Sequence, residues 1–451
     1  MDYYPSFGTI FNNLKRISGN HTGILNQSQS PIINHTRGVQ LKSVTGTLPN
    51  YHKLILGDSA EIAYHIIGYG SHYEEALIKY VGESIERYAG VITTKLCEND
   101  IIYDTYNNLS KENKVLPLEY LRVFDDEQIK KNNELNMTMC QKEVTGEDVI
   151  GWVRCDSLFN DDKIYVPAQM LFVGYQVNEE LGEKHFIPGF STGTASHTDI
   201  KKALFNAIVE YIQIDSFMLA WHTMKKCRKI NIDDENILKI LEECNLGAES
   251  DYDITVIDMS VGDDNPLYTF GIVLKNKYNE GPYIVFGVQG GLDPRHTLLR
   301  GVMEAASITY GYYYNVIYSP ELLDNIESDN PLFLDLDSNV LYYSHINDIE
   351  KKDAIFNSFI EGEINLSELE NRQGTDIEED IQKLVDYVEK ISEYAVFADF
   401  TPPELADTNW KVIRVLIPEL LEMCIPQFPF KNHPRMIKFG GVKNDAVHPM
   451  P

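Results

Sequence analysis

The sequence predicts an α+β fold, mixed α/β in its local pattern, organised around one unit that occurs three times. The unit is a glycine-containing turn followed by a helix that is apolar around most of its circumference and carries one polar stripe. Three observations predict it. Residues 76–88 place Ala76, Leu77, Tyr80, Val81, Ile85 and Tyr88 at helical spacing, with Lys79, Glu83 and Glu86 at i, i+4 and i+7 on one face. Residues 203–213 put Asn206, Glu210 and Gln213 at the same offsets, and residues 297–307 put Arg300, Glu304 and Ser307 there. Runs rich in β-branched and aromatic residues at 253–259, 268–274 and 283–287 supply strands.

Each helix follows glycine: Gly68 and Gly70, then Gly193, then Gly287, Gly290 and Gly291. A helix apolar on most sides is buried, and a buried carboxylate is costly unless it meets a cation. One polar position on a core helix is ordinarily a satisfied hydrogen bond. Three equivalent stripes converging on one cavity make a site.

A chain of 451 residues holds one large domain or two to three ordinary ones. Hydrophobic residues at 43% and charged residues at 24% put it among globular chains. A formal charge of −29 argues against a nucleic-acid partner and leaves room for a basic peptide or protein. The reading expects no apolar run long enough to span a bilayer and no signal pattern at the N-terminus, hence a cytoplasmic protein, membrane-associated only through a complex. Six cysteines without a C-x-x-C pair indicate neither a zinc site nor a disulfide framework.

In chain order, 1–60 reads as an N-terminal strand and loop region, 61–425 as the catalytic domain and 426–451 as a C-terminal tail containing proline. The stretch 125–136 is expected to be a surface helix or mobile insertion. Residues 151–156 and 163–167 read as paired strands around an Asn-Asp turn. Thr198 or Asp199 is the expected N-cap of the second repeated helix. Residues 225–246 read as a charged amphipathic segment, and 319–392 as acidic and helical. Residues 394–400 and 411–417 are further strands, the second carrying Arg414 on an apolar run. Pro449 and Pro451 stiffen the last residues, where base rates favour a frayed end.

The stripes supply Glu83, Glu86, Glu210 and Glu304 as anions, Gln213 as a neutral ligand, and Arg87 and Arg300 as cations. Carboxylates crowded in an apolar setting call for a divalent metal, and oxygen-only donors favour Mg²⁺ or Ca²⁺ over zinc. Mg²⁺ shares its shell with phosphates, which interleaved arginines also suit. The residues therefore point to a site for Mg²⁺ and a nucleoside triphosphate, built without the G-x-x-x-x-G-K-[ST] loop.

The same residues carry a resemblance. Glu83-Ser-Ile-Glu-Arg87 resembles the E-x-x-E-R of the YcaO family. Gly193-Thr-Ala-Ser-His-Thr followed by Glu210-x-x-Gln213 resembles its second motif, and Arg300-x-x-x-Glu304 its third. Phe400-Thr-Pro-Pro403 with Val412-Ile-Arg-Val415 resembles the family's late strand pair. The match runs over roughly 60–420, and with the short proline tail and no fused partner domain it looks most like the stand-alone cyclodehydratase of streptolysin-S-type toxin biosynthesis. The chain departs from the family with Tyr69 where Lys is common, Lys79 where Ser is common, and Val447 at the first position of the P-x-P-x-P tail.

The resemblance implies an ATP- and Mg²⁺-dependent enzyme that phosphorylates backbone amides of a ribosomally made precursor peptide. Cys, Ser or Thr then closes to a thiazoline or (methyl)oxazoline. It implies nucleotide contacts from Ser71, Lys79, Glu83, Glu86, Arg87, Ser196, Asn206, Glu210, Gln213, Arg300 and Glu304, with Glu83, Glu86, Glu210, Gln213 and Glu304 toward the metal. It also implies a catalytic part for Pro449 and Pro451, an E1-like partner that binds the leader peptide, and a flavin-dependent azoline dehydrogenase; a homodimer is allowed. Two alternatives stay open: backbone thioamidation or amidine formation by the same nucleotide residues, and a catalytically silent scaffold that recruits peptide.

Overall fold

The architecture follows from where glycine lets a helix lie directly on a strand. In the computed structural model, which describes residues 7–19, 23–25, 38–57 and 65–451, the first six strands are β1 (Lys42–Thr47), β2 (His65–Gly70), β3 (Ile102–Thr105), β4 (Val149–Ser157), β5 (Lys163–Pro167) and β6 (Thr194–His197). They are followed by β7 (Cys227–Asn231), β8 (Tyr252–Asp258), β9 (Tyr268–Asn276), β10 (Ile284–Gly291), β11 (Ile360–Asn365), β12 (Val396–Asp399) and β13 (Lys411–Leu416). β1 and β2 form an antiparallel pair. One sheet runs β10-β9-β8-β7-β11, the other β3-β4-β12-β13-β6 with β5 paired to β4.

The three repeated helices are α1 (Tyr73–Leu96), α2 (Ile200–Thr223) and α3 (Pro294–Tyr318). α1 rests on β2 so closely that a Cβ at Gly68 would lie 1.9 Å from the Ala76 carbonyl oxygen and 2.4 Å from the Tyr80 nitrogen. Its apolar positions Ala76, Leu77, Tyr80, Val81, Ile85 and Tyr88 are all buried. Asp199 caps α2 by accepting from the Lys201 amide at 2.9 Å, and Asp293 caps α3 by accepting from the Arg295 and His296 amides.

α2 corrects one expectation. By length and composition it could cross a bilayer, although the sequence reading expected no such run. Its apolar length has another cause, because 78% of the window is buried inside the fold as the central core helix.

The charged stretches also resolve differently from the sequence reading. Residues 225–246 divide into β7 and a helix, Glu235–Glu243. The acidic 319–392 stretch contains β11, which pairs in parallel with β7. β11 is the edge strand of its sheet and β7 lies just inside it; both carry charged, part-exposed residues, which hides a short period-two pattern inside a charged background. The 125–136 stretch is a helix, Asp126–Glu134, closed by an Asp125/Gln128 capping box and tied to the C-terminal segment by Lys431–Asp125 at 2.9 Å.

The last 26 residues are bound into the core rather than frayed. Arg435 and Asp215 of α2 form a buried bidentate pair at 2.5 and 2.6 Å. The Trp221 indole donates to the Ala446 carbonyl, and the Tyr343 hydroxyl to that of Val447. Asn339 donates from one amide nitrogen to the carbonyls of His448 at 2.7 Å and Met450 at 2.8 Å. The 1–60 region lies partly outside the described residues.

Candidate active site

On α1, Glu83 is gripped by Arg87, whose Nε and terminal nitrogen approach the same carboxylate oxygen at 3.0 and 2.8 Å. Arg87 also donates to the Ser191 hydroxyl, at the turn that precedes β6. One turn earlier, Lys79 pairs with Glu75 at 2.8 Å and lies 4.1 Å from the centre of the Tyr69 ring. Glu75 accepts from the Ser71 amide as well, closing the first glycine turn onto the helix.

α2 approaches from the second unit. Gly193, at φ +83° where a Cβ would collide with the Val415 carbonyl and the Tyr211 ring, donates its amide to Glu210 at 3.2 Å. Arg414, fully buried on β13, fastens that turn by donating to the Thr192 carbonyl, the Thr194 hydroxyl and the Met170 carbonyl. Ser196 donates its hydroxyl to the Gly82 carbonyl at 2.8 Å and its amide to Glu86. Asn206 lies half-buried one turn before Glu210. Gln213 donates to the Val288 carbonyl at 3.0 Å and accepts from the Gly290 amide at 2.7 Å, so its side chain ties α2 to β10.

α3 completes the enclosure. Glu304 sits within electrostatic reach of Arg300, Lys79, Glu83 and Tyr69. Arg300 is exposed at the rim. Ser307, last of the third stripe, turns back to the Glu304 carbonyl of its own helix at 2.7 Å.

The structure thus brings Lys79, Glu83, Glu86, Arg87, Glu210, Arg300 and Glu304 into one electrostatic cluster spanning three helices. Burial, then repulsion from Glu83 and Glu210, holds the Glu86 carboxyl well above the usual carboxylate range. Burial pushes Glu210 up to about 7 against the pull of Arg87, with Glu83 adding repulsion. Burial likewise pushes Glu304 up to about 7, opposed by Arg300 and Lys79. Lys79 is pushed down by burial, with Glu75 resisting. Carboxylates outnumber the cations that reach them, and the pocket lacks positive charge.

That donor set fits Mg²⁺ and a polyphosphate. It offers hard oxygen atoms only, in a cavity where a divalent cation relieves the mutual repulsion. Among the described residues, no three His, Cys, Asp or Glu side chains close on a single point. This suits an ion that takes one or two carboxylates and fills its shell with phosphate oxygens and water.

Pro449 is buried and Pro451 exposed, and their neighbours bind Asn339 on a separate helix, Leu336–Ser344. Sequence reasoning missed Tyr69, Glu75 and Ser191 as members of the cluster. Glu75 carried a readable signal, since it lies one turn before Lys79 on the same stripe. Ser191 carried none, because its approach depends on how the units fold onto each other; Tyr69 showed only as a departure from the family pattern.

Comparison with known proteins identifies the family. The family model described as YcaO cyclodehydratase, ATP- and Mg²⁺-binding, matches residues 67–421, and the chain belongs to the YcaO family. ATP and Mg²⁺ are the cofactors of that family. No curated protein matches the chain. Among solved structures, a heterocyclase in complex with substrate and cofactor superposes with a TM-score of 0.72 at 16% identity, covering 100% of this chain and 58% of that one. The YcaO protein of Methanopyrus kandleri, bound with AMPPCP and Mg²⁺, superposes at 0.58 with 14% identity, covering 88% and 89%. The E. coli microcin synthetase McbBCD complex contains a chain that superposes at 0.63 with 13% identity, covering 94% and 96%. This chain therefore spans little more than half the length of the first of these, and at such identities the likeness is one of fold.

Proposed function

We propose that the chain is an ATP-dependent peptide cyclodehydratase of the azoline-forming kind. The observation that carries the reading is the convergence of three helical stripes into one undercharged anionic pocket, rimmed by Arg300 and floored by Lys79 and Arg87. Glu83, Glu86, Glu210 and Glu304 would share Mg²⁺, one or two to an ion, with Asn206 beside them as a neutral ligand; Gln213, held by β10 through both ends of its amide, would brace the site instead. Arg300, Arg87 and Lys79 would hold phosphate oxygens. When bound, Mg²⁺ supplies charge neutralisation on the triphosphate.

The chemistry then balances as follows. A substrate amide oxygen takes the terminal phosphoryl group of ATP, releasing ADP. The neighbouring Cys, Ser or Thr attacks the same carbonyl carbon, that oxygen leaves as phosphate, and the side-chain and amide protons are lost. The net change is one water removed from the peptide per ring. Phosphorylation makes a poor oxygen leaving group into a good one. We further propose a ribosomally made precursor peptide as substrate, an E1-like leader-binding protein and a flavin-dependent dehydrogenase as partners, and a setting like streptolysin-S-type toxin biosynthesis. The McbBCD complex, whose fold this chain shares, has also been solved with pro-MccB17 bound.

The test is ATP-dependent phosphate release with a Cys-rich peptide, with and without an E1-like partner, alongside peptide mass. Phosphate release coupled to loss of one water per ring, abolished when the cysteines, serines and threonines of the peptide become alanine, is the expected result. Water loss that survives that change points to amidine formation, oxygen-for-sulfur exchange to thioamidation, and no phosphate release to a scaffold.

A further inference from the structure

The turn at 191–194 has a core side and a site side. Its ends close on each other, the Thr194 amide donating to the Ser191 carbonyl at 2.9 Å, and Gly193 supplies the positive φ inside it. On the core side, Arg414 donates to the Thr192 carbonyl and the Thr194 hydroxyl, and the Met423 amide donates to the Thr192 hydroxyl at 3.1 Å. Thr192 and Thr194 are each 3% exposed, so the turn is pinned from behind. On the site side, the Gly193 amide donates to Glu210 at 3.2 Å, and the Ser191 hydroxyl accepts from Arg87 at 2.5 Å. Ser191 therefore reaches across from the second unit to a cation of the first.

Arg87 is divided between two acceptors of different kinds. Its Nε and one terminal nitrogen grip Glu83, one turn back on the same helix, at 3.0 and 2.8 Å, and the other terminal nitrogen goes to Ser191. A carboxylate shared with a divalent ion holds a neighbouring guanidinium less firmly, and while it does hold it, it offsets the charge that a phosphate would meet. A hydroxyl is neutral. It fixes the direction of the guanidinium and leaves its charge available. We propose that Ser191 is a positioning residue: its hydroxyl, set in place by the pinned turn, aims Arg87 at the triphosphate while Glu83 serves Mg²⁺. The inference rests on the Mg²⁺–nucleotide reading of the pocket, and gives a part in it to a residue that lies on none of the three stripes.

The test is calorimetric titration of Mg²⁺–AMPPCP into the wild-type chain, Ser191→Ala, Ser191→Thr, Arg87→Gln and the double variant of Ser191→Ala with Arg87→Gln, with melting temperatures measured alongside. Ser191→Ala should lose roughly threefold to tenfold in nucleotide affinity, the worth of one part-exposed hydrogen bond to a charged group, at a melting temperature close to wild type. Ser191→Thr keeps the hydroxyl and should stay within about twofold of wild type. With Arg87 already replaced, the Ser191→Ala change should cost nothing further, because the serine acts through that side chain. Wild-type affinity in Ser191→Ala overturns the inference, as does an equal loss from Ser191→Ala with and without Arg87, or a loss that only follows the melting temperature. A wild-type chain that binds no Mg²⁺–AMPPCP overturns the nucleotide reading and this inference with it.

Discussion

Glu210 shows at single-residue scale what the pocket stores. Its carboxyl is pushed from the usual 4.5 up to about 7 in the fold, first by burial. A raised acid contributes its full share of stability below the unfolded value, and that share is lost as pH rises through the folded one. Glu210→Gln should therefore melt higher than wild type at pH 8, by up to about 2 kcal/mol. The two should coincide near pH 4. Thermal melts across pH check this, and equal stabilities at pH 8 would remove the carboxylate from the strained set. Arg300 makes the opposite case. It is exposed at the rim beside Glu304, so it is free to meet phosphate in ground and transition states alike. Arg300→Ala should raise KM for ATP roughly tenfold with little change in kcat. A fall in kcat at unchanged KM would place it in the reacting centre instead.

At the scale of elements, the glycines decide how close the helices come. Gly68→Ala sets a Cβ against the backbone of α1, which cannot move as a side-chain tip can. We expect a loss above about 3 kcal/mol, read as a collapsed melting temperature or insoluble protein. Gly311→Ala, in α3 with nothing within 4 Å of the added carbon, should instead stabilise by up to about 1 kcal/mol. Equal melting temperatures for the two variants would contradict the close docking of α1 on β2. The repeated helices were legible because helical spacing and glycine are both local signals. β7 and β11 were not, since Arg228, Lys229, Glu361 and Glu363 on half-exposed strands imitate a solvated helix. The stripes were legible as stripes, but Ser191 reaches the cluster only through contacts between units. Gln213 reads as a free ligand in sequence and is tied to β10 at both ends of its amide in the fold.

At the scale of the whole molecule, α2 couples the pocket to the C-terminal segment. Glu210 faces the site, while Asp215 and Trp221 further along the helix bind that segment. Deleting Pro449–Pro451 removes a buried Met450 and one of the two bonds from Asn339, so melting should fall by a few degrees at most. If the tail acts on the reacting peptide, cyclisation falls far more than nucleotide binding does, and Asn339→Ala reproduces part of that loss. Full-rate cyclisation by the truncated chain would leave the tail a structural element only. The central claim, that three helical stripes build one Mg²⁺–nucleotide site, is tested most directly by titrating Mg²⁺–AMPPCP into the wild-type chain and into Glu83→Ala, Glu210→Ala and Glu304→Ala, one substitution per helix. The account predicts one site per wild-type chain and a loss of roughly tenfold to a hundredfold in each folded variant. Wild-type affinity in any one of them would contradict it.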